Sequence, residues 1–347
     1  MNPREFGIEI EKIDARILAL LNERIERSLL IGGESGDAVR EGTVERIRRC
    51  ARGAASPEFS AALYGGIVAE CERLCALHPR LVGFQGDHGA YSEMAARAWD
   101  AEATTMPFRE FVDVFDAVQE GLIDFGIVPV ENSLGGLVGP VNSILVYADL
   151  KIVAAVDMPV SHCLLAAPGT DHRDIRAAYS HSQALAQCRH FLARNKLESR
   201  PFYDTAGAAR QLAEERPAGA AAVASRFAAE IYGLDIIKED IQDAPNNRTR
   251  FFVLARGTDR AAEGNKCSAV FFTEDKAGAL FRVLELFARA GINLTRIESV
   301  PNLPGDYAIF LDFEGSSRDE PVAAAIREAE RATRGFRLLG CYLERRL

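Results

Sequence analysis

The sequence predicts a multidomain protein with an all-α segment first, a long α/β region in the middle and a small α+β unit at the end. Three observations carry that expectation. Over residues 8–31 the apolar residues Ile10, Ile13, Ile17, Leu20, Leu21, Ile25 and Leu29 recur at steps of three and four, the stripe of an amphipathic helix. Beyond His78-Pro79-Arg80 the pattern changes to short apolar runs alternating with amphipathic stretches. From Cys267 onward, strand and helix signals follow the order βαββαβ of a ferredoxin-like unit. A chain of 347 residues also exceeds what one ordinary core serves.

In chain order, Gly32-Gly33 stops the first helix, a short basic helix follows over 44–52, and a third runs from the Ser56-Pro57 cap to Leu77. A long first helix on its own leaves its stripe uncovered, so it is expected to pair with another helix, across a dimer included. The middle region reads as strands at 81–84, 125–130, 151–156, 163–166, 177–180, 220–224 and 250–254, with helices between them such as 183–195 and 205–214. Repeated β/α units place a ligand at loops beyond strand ends or between lobes. Residues 257–266 are polar and read as a linker. The final unit reads as strand 267–272, helix 278–290, strands 293–299 and 307–314, helix 321–333 and strand 336–344.

Composition excludes several functions. Lysine and arginine total 41 against 50 aspartate and glutamate, a net charge of −9 that gives no footing for general nucleic-acid binding. No apolar run reaches the roughly 18 residues of a membrane span, and the opening MNPREFGIEIEK lacks a signal-peptide core, so the expectation is a cytoplasmic protein without a membrane partner. The seven cysteines are scattered without a C-x-x-C pair, so all seven are read as reduced, mostly structural thiols and no metal site is expected.

Polar and glycine-rich turns follow the middle-region strands: Gly86-Asp87-His88-Gly89-Ala90-Tyr91-Ser92-Glu93, Glu131-Asn132-Ser133-Leu134-Gly135-Gly136, Ser180-His181-Ser182-Gln183, and Asn246-Asn247-Arg248-Thr249-Arg250-Phe251. Free N–H groups at helix starts, with hydroxyls nearby, suit an anionic, oxygen-rich ligand such as a carboxylated metabolite. Singly, each piece is explained as well by a cap or a turn.

Together and in order they are specific. Gly86-x-x-Gly89-x-Tyr91-Ser92, Gly126-x-x-Pro129-Val130-Glu131-Asn132-Ser133, His162-x-Leu164-Leu165, Ser180-His181-x-Gln183-x-x-x-Gln187-Cys188, Thr205-Ala206-x-Ala208-Ala209 and Asn247-x-Thr249-Arg250-Phe251 resemble prephenate dehydratase across residues 81–256. The last part, with Gly278-Ala279-Leu280 and Gly291-Ile292-Asn293-Leu294-Thr295-Arg296-Ile297-Glu298-Ser299, resembles the phenylalanine-binding ACT domain that follows the dehydratase in this family. The N-terminal helices resemble the all-α chorismate mutase domain of the bifunctional enzyme. The resemblance implies a chorismate mutase-like domain at 1–79, an α/β two-lobed, periplasmic-binding-protein-like dehydratase domain at 80–257 and an α+β ferredoxin-like ACT domain at 266–347.

It also implies a reaction without cofactor, the loss of water and CO2 from prephenate to give phenylpyruvate in phenylalanine biosynthesis. By motif match Thr249 is the candidate donor to the leaving hydroxyl, as acid, hydrogen-bond donor or relay, and Arg250 the candidate for a carboxylate. Glu131, Asn132, Ser133, Ser180, His181, Gln183, Gln187, Thr205, Asn247 and Phe251 are placed in the same substrate site, with structural roles competing at Glu131 and His181. Cys188 reads as a buried helical thiol. Gly278, Ala279, Leu280, Asn293, Leu294, Glu298 and Ser299 are placed in a regulatory phenylalanine site, and a homodimer or homotetramer is expected.

Departures from the family pattern fall at two places. In the mutase-like part Glu23-Arg24 is retained, but the early arginine falls at Gly7, the lysine at Ser35 and the third-helix glutamine near Cys75; Arg40-Glu41 and Glu45-Arg46 are candidates for the second-helix pair. Losing several cationic ligands removes the electrostatic stabilisation a pericyclic rearrangement needs, so mutase activity is expected weak or absent, with Arg24 a residual. In the ACT part Val300 replaces the arginine of Glu-Ser-Arg-Pro, which predicts weakened inhibition. Competing readings are an active mutase, a decarboxylase of the same fold (which lacks the Thr249 counterpart), arogenate as substrate, and a non-catalytic amino-acid sensor.

Overall fold

The computed structural model describes residues 3–32, 37–257, 264–273, 276–301 and 307–347. Gly33 and Ser35 lie outside the described residues, as do 258–263 of the linker. The helical segment and the remainder form two compact units.

Three helices build the first unit: α1 (Pro3–Leu30), α2 (Asp37–Cys50) and α3 (Pro57–Ala76). Ser56 Oγ caps α3 by accepting from Phe59 N at 3.1 Å, and Pro57 follows at the first helical position, where its missing N–H costs nothing. Ala61, Val68 and Cys71 of α3 are buried, whereas Ile10, Ile13 and Ile17 of the α1 stripe are exposed.

The second unit starts with lobe I, whose strands are β1 (Leu81–Gln85), β2 (Thr104–Phe108), β3 (Phe125–Asn132), the short β4 (Gly136–Leu137), β5 (Lys151–Pro159) and, much later, β11 (Arg248–Ala255). Helices α4 (Tyr91–Trp99), α5 (Phe111–Glu120) and α6 (Gly139–Leu145) join them. Lobe II is a five-stranded sheet in the order β10-β6-β9-β7-β8, from β6 (Cys163–Ala166), β7 (Ala177–His181), β8 (Glu198–Phe202), β9 (Ala220–Ala224) and β10 (Asp235–Lys238). Its helices are α7 (Ser182–Gln187), α8 (Arg189–Arg194), α9 (Thr205–Glu215) and α10 (Arg226–Tyr232). All five residues of β9 are buried, the composition expected where both faces of a sheet are covered. Each lobe has its own core, Phe84, Ile127 and Phe251 in lobe I and Leu164, Leu185 and Val223 in lobe II.

The chain crosses between the lobes twice, from β5 into β6 and from β10 back into β11. The crossings explain one departure from the sequence expectation. The single helix expected over 183–195 is two helices, because Gln187 O accepts from Asp243 N of the returning segment at 2.7 Å, and the Asp243 carboxylate accepts from His190 N at 3.1 Å and starts a new turn. The strands not expected from the sequence include β2, β8 and β10, which are all sheet edges and so carry less apolar signal.

A ferredoxin-like order completes the unit: β12 (Lys266–Phe272), α11 (Ala279–Arg289), β13 (Leu294–Pro301), β14 (Tyr307–Glu314), α12 (Glu320–Ala332) and β15 (Arg334–Arg346). The end of β15 leaves β12 and pairs in parallel with β5, Leu343 opposite Ala154 through Arg346 opposite Asp157. The result is one continuous sheet in the order β13-β14-β12-β15-β5-β11-β3-β1-β2. Gly340 makes the junction possible, since a Cβ there would lie 2.1 Å from Ile152 O.

One expectation from composition is corrected. Cys267 and Cys341, opposite each other on β12 and β15 with Cα atoms 4.1 Å apart, form a disulfide, and the other five cysteines are free. Seventy-four residues separate them, so only strand register brings them together. Alkylation of denatured, unreduced protein should therefore label five cysteines, and reduction should release the two at 267 and 341; peptide mass spectrometry showing seven labelled thiols would refute the pairing.

Candidate active site

The candidate residues converge where the two crossings meet the ends of β3 and α7. Asn132 ends β3 and is buried; its Oδ1 accepts from the backbone N–H groups of Leu134 (3.1 Å) and Gly135 (2.7 Å). The turn thereby fixes which end of the amide is which. Asn132 Nδ2 then lies 2.8 Å from Asn247 Oδ1, 3.0 Å from Arg248 O and 2.9 Å from Thr249 Oγ1. The two N–H groups of Nδ2 are shared among these three acceptors, and an amide nitrogen does not accept, so the Thr249 proton is not spent on Asn132 and is left for another partner.

The same polarity runs outward. Asn247 Nδ2 donates to Gln187 Oε1 at 3.0 Å, and Gln187 Nε2 to Asn132 Oδ1 at 3.4 Å. Gln187 Oε1 lies 2.8 Å from His162 Nε2, which must therefore carry a proton. Burial pushes His162 below the ordinary histidine range, so Nδ1 is the acceptor, 2.9 Å from the Tyr91 hydroxyl. The Tyr91 hydroxyl has one proton between two acceptors, His162 Nδ1 and, at 2.5 Å, Ser161 O, and burial raises its pKa well above the usual value. The sequence motifs that contain Tyr91 and His162 point to no role for either, because a histidine and a tyrosine separated by 71 positions give no local signal of contact.

Other candidates are placed differently. Ser133 ties β3 to β11, its Oγ donating to Asn246 O at 3.0 Å and accepting from Arg248 N at 2.9 Å. Ser180 is fully buried and donates to Val223 O at 2.6 Å. His181 caps α7, its Nδ1 accepting from Gln183 N at 3.3 Å, and the Gln183 amide packs on Gly135, where a Cβ would come within 1.9 Å of Nε2. Thr205 opens α9 and is not a hydrogen-bond partner of the amide cluster.

Three candidates lie away from the cluster: Arg250 and Glu131 because successive residues of a strand point to opposite faces, and Phe251 because it sits further along β11 in the core. Arg250, expected at a substrate carboxylate, is instead bound to Asp312, Glu344 and Tyr342 of the last unit. Glu131 pairs with Arg250 in register and shares its face rather than that of Asn132. Phe251 is buried in the lobe I core. Cys188, also buried, is pushed up to about 12 by desolvation, which fits a packed thiol.

The loop after β1 is held between lobes. Gly89 has φ +91 and approaches Ala228 so closely that a Cβ would lie 2.8 Å from its Cα. Ser225 Oγ donates to Gly89 O at 2.7 Å, Tyr232 to His88 O at 2.8 Å, and Asp204 accepts from Asp87 N at 3.1 Å. Beneath it Glu93, fully buried, accepts from Gly89 N (2.7 Å), Thr105 (2.8 Å), His88 (3.1 Å) and Arg97 (2.9 Å). Burial pushes this carboxyl up, but His88, Gly89 and Thr105 outweigh it and hold it at about 2.

In the last unit Gly278 is the N-cap of α11 with φ +78, and Ala279 and Leu280 open the helix. Leu280 and Leu294 pack on one core, and Asn293 O accepts from Glu314 N. Ser299 pairs with Ile309, on the helix side of the sheet, whereas Glu298 pairs with Phe310 on the opposite face, shared with Arg296 and Asp312. In the helical unit Arg24 Nη1 lies 2.9 Å from Cys71 Sγ, and Cys75 Sγ lies 3.6 Å from Ser28 O.

Comparison with known proteins places the chain in a family. A family model described as prephenate dehydratase matches residues 82–259, and an ACT domain model matches 268–331. The chain belongs to the prephenate dehydratase family. The chain is 43% identical over 277 residues to the arogenate dehydratase/prephenate dehydratase 2 of Arabidopsis thaliana, covering 75% of this chain and 72% of that protein. It is 34% identical over 357 aligned positions to the bifunctional chorismate mutase/prephenate dehydratase of Aquifex aeolicus, covering 98% and 97%. Among solved structures, the prephenate dehydratase of Arthrobacter aurescens in complex with L-Phe matches with TM-score 0.69 at 32% identity, covering 76% and 89%. GqqA, described as a novel type of quorum quenching acylase, matches with TM-score 0.70 at 34%, covering 76% and 97%. The ACT domain is consistent with allosteric control by a small molecule. No described helix is long and apolar enough to cross a membrane.

The Glu93 cluster sets a pH dependence. Its folded pKa is below the unfolded value, so the stability it contributes is present above about pH 4.5 and is lost as pH falls through about 2. Glu93→Gln should cost about 2–4 kcal/mol near pH 7 and flatten that acid limb in urea melts followed by circular dichroism; an unchanged limb would show that the carboxylate is not the titrating group.

Proposed function

We propose that this protein converts prephenate to phenylpyruvate in phenylalanine biosynthesis, with Thr249 as the hydrogen-bond donor to the leaving hydroxyl. The observation that carries the reading is the fixed polarity at Thr249: Asn132 Nδ2 occupies the acceptor side of Oγ1, so the hydroxyl presents its proton.

In the reaction the bond from ring to carboxylate breaks, CO2 leaves, and the electron pair joins the ring. The ring hydroxyl takes up one proton and leaves as water, and aromatisation supplies the driving force without a cofactor. Hydroxide is a poor leaving group, so a preorganised donor at that oxygen lowers the barrier more than it strengthens substrate binding. Asn132, Gln187 and Asn247 hold Thr249 and contact substrate; Gln183, His181 and Thr205 border the same loops. Ser133 and Ser180 are assigned to backbone support, and Arg250, Glu131 and Phe251 to positions away from substrate. Arogenate, which has an amine where prephenate has a keto group, is the second substrate supported by the Arabidopsis relative's name.

Phenylalanine is proposed as effector at the ACT domain, with Gly278, Ala279, Leu280, Asn293, Leu294 and Ser299 around it and Val300 weakening the response. The exposed α1 stripe of Ile10, Ile13 and Ile17 supports a homodimer or homotetramer. In the mutase-like helices Arg24 is bonded to a thiol and the early arginine position is Gly7, which supports weak or absent mutase activity.

Thr249→Ala should lower kcat by about 10²–10³-fold with KM within a few-fold, whereas Thr249→Ser keeps most of the rate; wild-type rates in the alanine variant would remove Thr249 from the mechanism. Purified protein should form phenylpyruvate from prephenate and turn over chorismate slowly or not at all. Phenylalanine binding without turnover of prephenate or arogenate would instead identify a sensor.

A further inference from the structure

Beyond the shared sheet, buried side chains cross between the dehydratase and ACT regions in both directions. Arg250 leaves β11 immediately after Thr249 and reaches into the ACT region, where it is ion-paired with Asp312 on β14 and Glu344 on β15 and donates from Nη2 to the Tyr342 hydroxyl at 2.9 Å. Arg296 leaves β13 in the opposite sense and donates from Nη2 to Asn142 Oδ1 on α6 at 2.6 Å.

Both guanidinium groups face Asp312, which is 0% exposed: Arg250 is hydrogen-bonded to it, and Arg296 Nη1 lies 3.9 Å from Asp312 Oδ2 as an ion pair without a hydrogen bond. Ser268 Oγ donates to Asp312 Oδ1 at 2.6 Å and lies 2.6 Å from the Tyr342 hydroxyl. A carboxylate buried between two cations is a stiff joint, because moving either partner leaves an uncompensated charge in a low-dielectric place.

Each arm of the joint ends beside the amide cluster. Arg250 is the next residue after Thr249. Asn142, held by Arg296, donates from Nδ2 to Val130 O at 3.0 Å, two residues before Asn132 on β3. Arg337 grips the end of the same α6, donating to Val146 O at 2.6 Å. The Asn132–Thr249 hydrogen bond spans β3 and β11, strands paired in register, and each of them is also reached from Asp312, β11 by Arg250 itself and β3 by Arg296 through Asn142.

We propose that Asp312 of the ACT region is a positioning residue for the dehydratase reaction, holding Arg250 and Arg296 so that Asn132 and Thr249 stay in register, and that a ligand gripping β13 acts on the site through it. The second half rests on the reading of phenylalanine as effector. β13 suits that role because it begins at Leu294, beside Asn293, and carries Ser299 on the effector side of the sheet and Arg296 on the face of Asp312.

The test uses the full-length chain with Asp312→Asn and Tyr342→Phe, the latter removing only a hydroxyl. Initial rates are measured on whichever of prephenate and arogenate the wild type turns over, with and without phenylalanine; phenylalanine binding is read by calorimetry and folding by circular dichroism. Asp312→Asn should lower kcat by about 10-fold or more with KM within about 2-fold, and bring the ratio of uninhibited to inhibited rate toward one while phenylalanine still binds. Tyr342→Phe should move both readings the same way by a few-fold. A folded Asp312→Asn protein with wild-type kcat and inhibition overturns the proposal; if that variant does not fold, unchanged readings in Tyr342→Phe overturn it. A wild type that does not bind phenylalanine refutes the effector reading alone, and the kcat comparison then decides the positioning role.

Discussion

The placement of β11 between β3 and β5 is the constraint on which the rest depends. It is antiparallel to both, with Thr249 opposite Asn132 and Met158, so it joins the end of the second crossing to the strands of lobe I. Because a strand sends alternate side chains to opposite faces, Arg250 parts from its neighbours Thr249 and Phe251, and the latter two serve different ends of their shared face. Thr249 meets the amide cluster, Arg250 the ACT region and Phe251 the lobe I core. The bulge between Arg250 and Phe251 inserts one extra residue on β3 and lets the motif keep Asn132 beside Thr249 while Phe251 packs inward.

Electrostatics at the candidate site is mostly hydrogen-bond direction rather than charge. The cluster of Asn132, Asn247, Gln187, His162 and Thr249 contains no carboxylate, and its order derives from two backbone N–H groups of the 133–135 turn. Neutral donors fixed in advance need no reorganisation when charge develops on a leaving oxygen. Charged side chains are instead buried where rigidity is required, at Glu93 under the glycine loop and at Asp312 between two arginines.

Much of the fold is legible because it follows from periodicity. The strand expectations at 163–166, 220–224 and 307–314 coincide with β6, β9 and β14, since these runs are apolar and bounded by turn residues. The βαββαβ order of the ACT region follows for the same reason. The edge strands β8 and β10 were illegible, as was the break at Cys188, because a neighbouring segment rather than the local sequence supplies the Asp243 contacts that end α7.

For the candidate site, the sequence by itself determined which residue types are present and in what order: the amides, the threonine and the glycines of the turns. Only the tertiary structure decided which of them meet, because strand alternation and register are properties of paired strands. That is why Arg250 and Glu131, adjacent to Thr249 and Asn132 in sequence, lie on the other face, and why His162 and Tyr91 join the cluster. The same physics pairs Cys267 with Cys341: neither residue carries a local sign of the other, and antiparallel register alone puts them opposite one another.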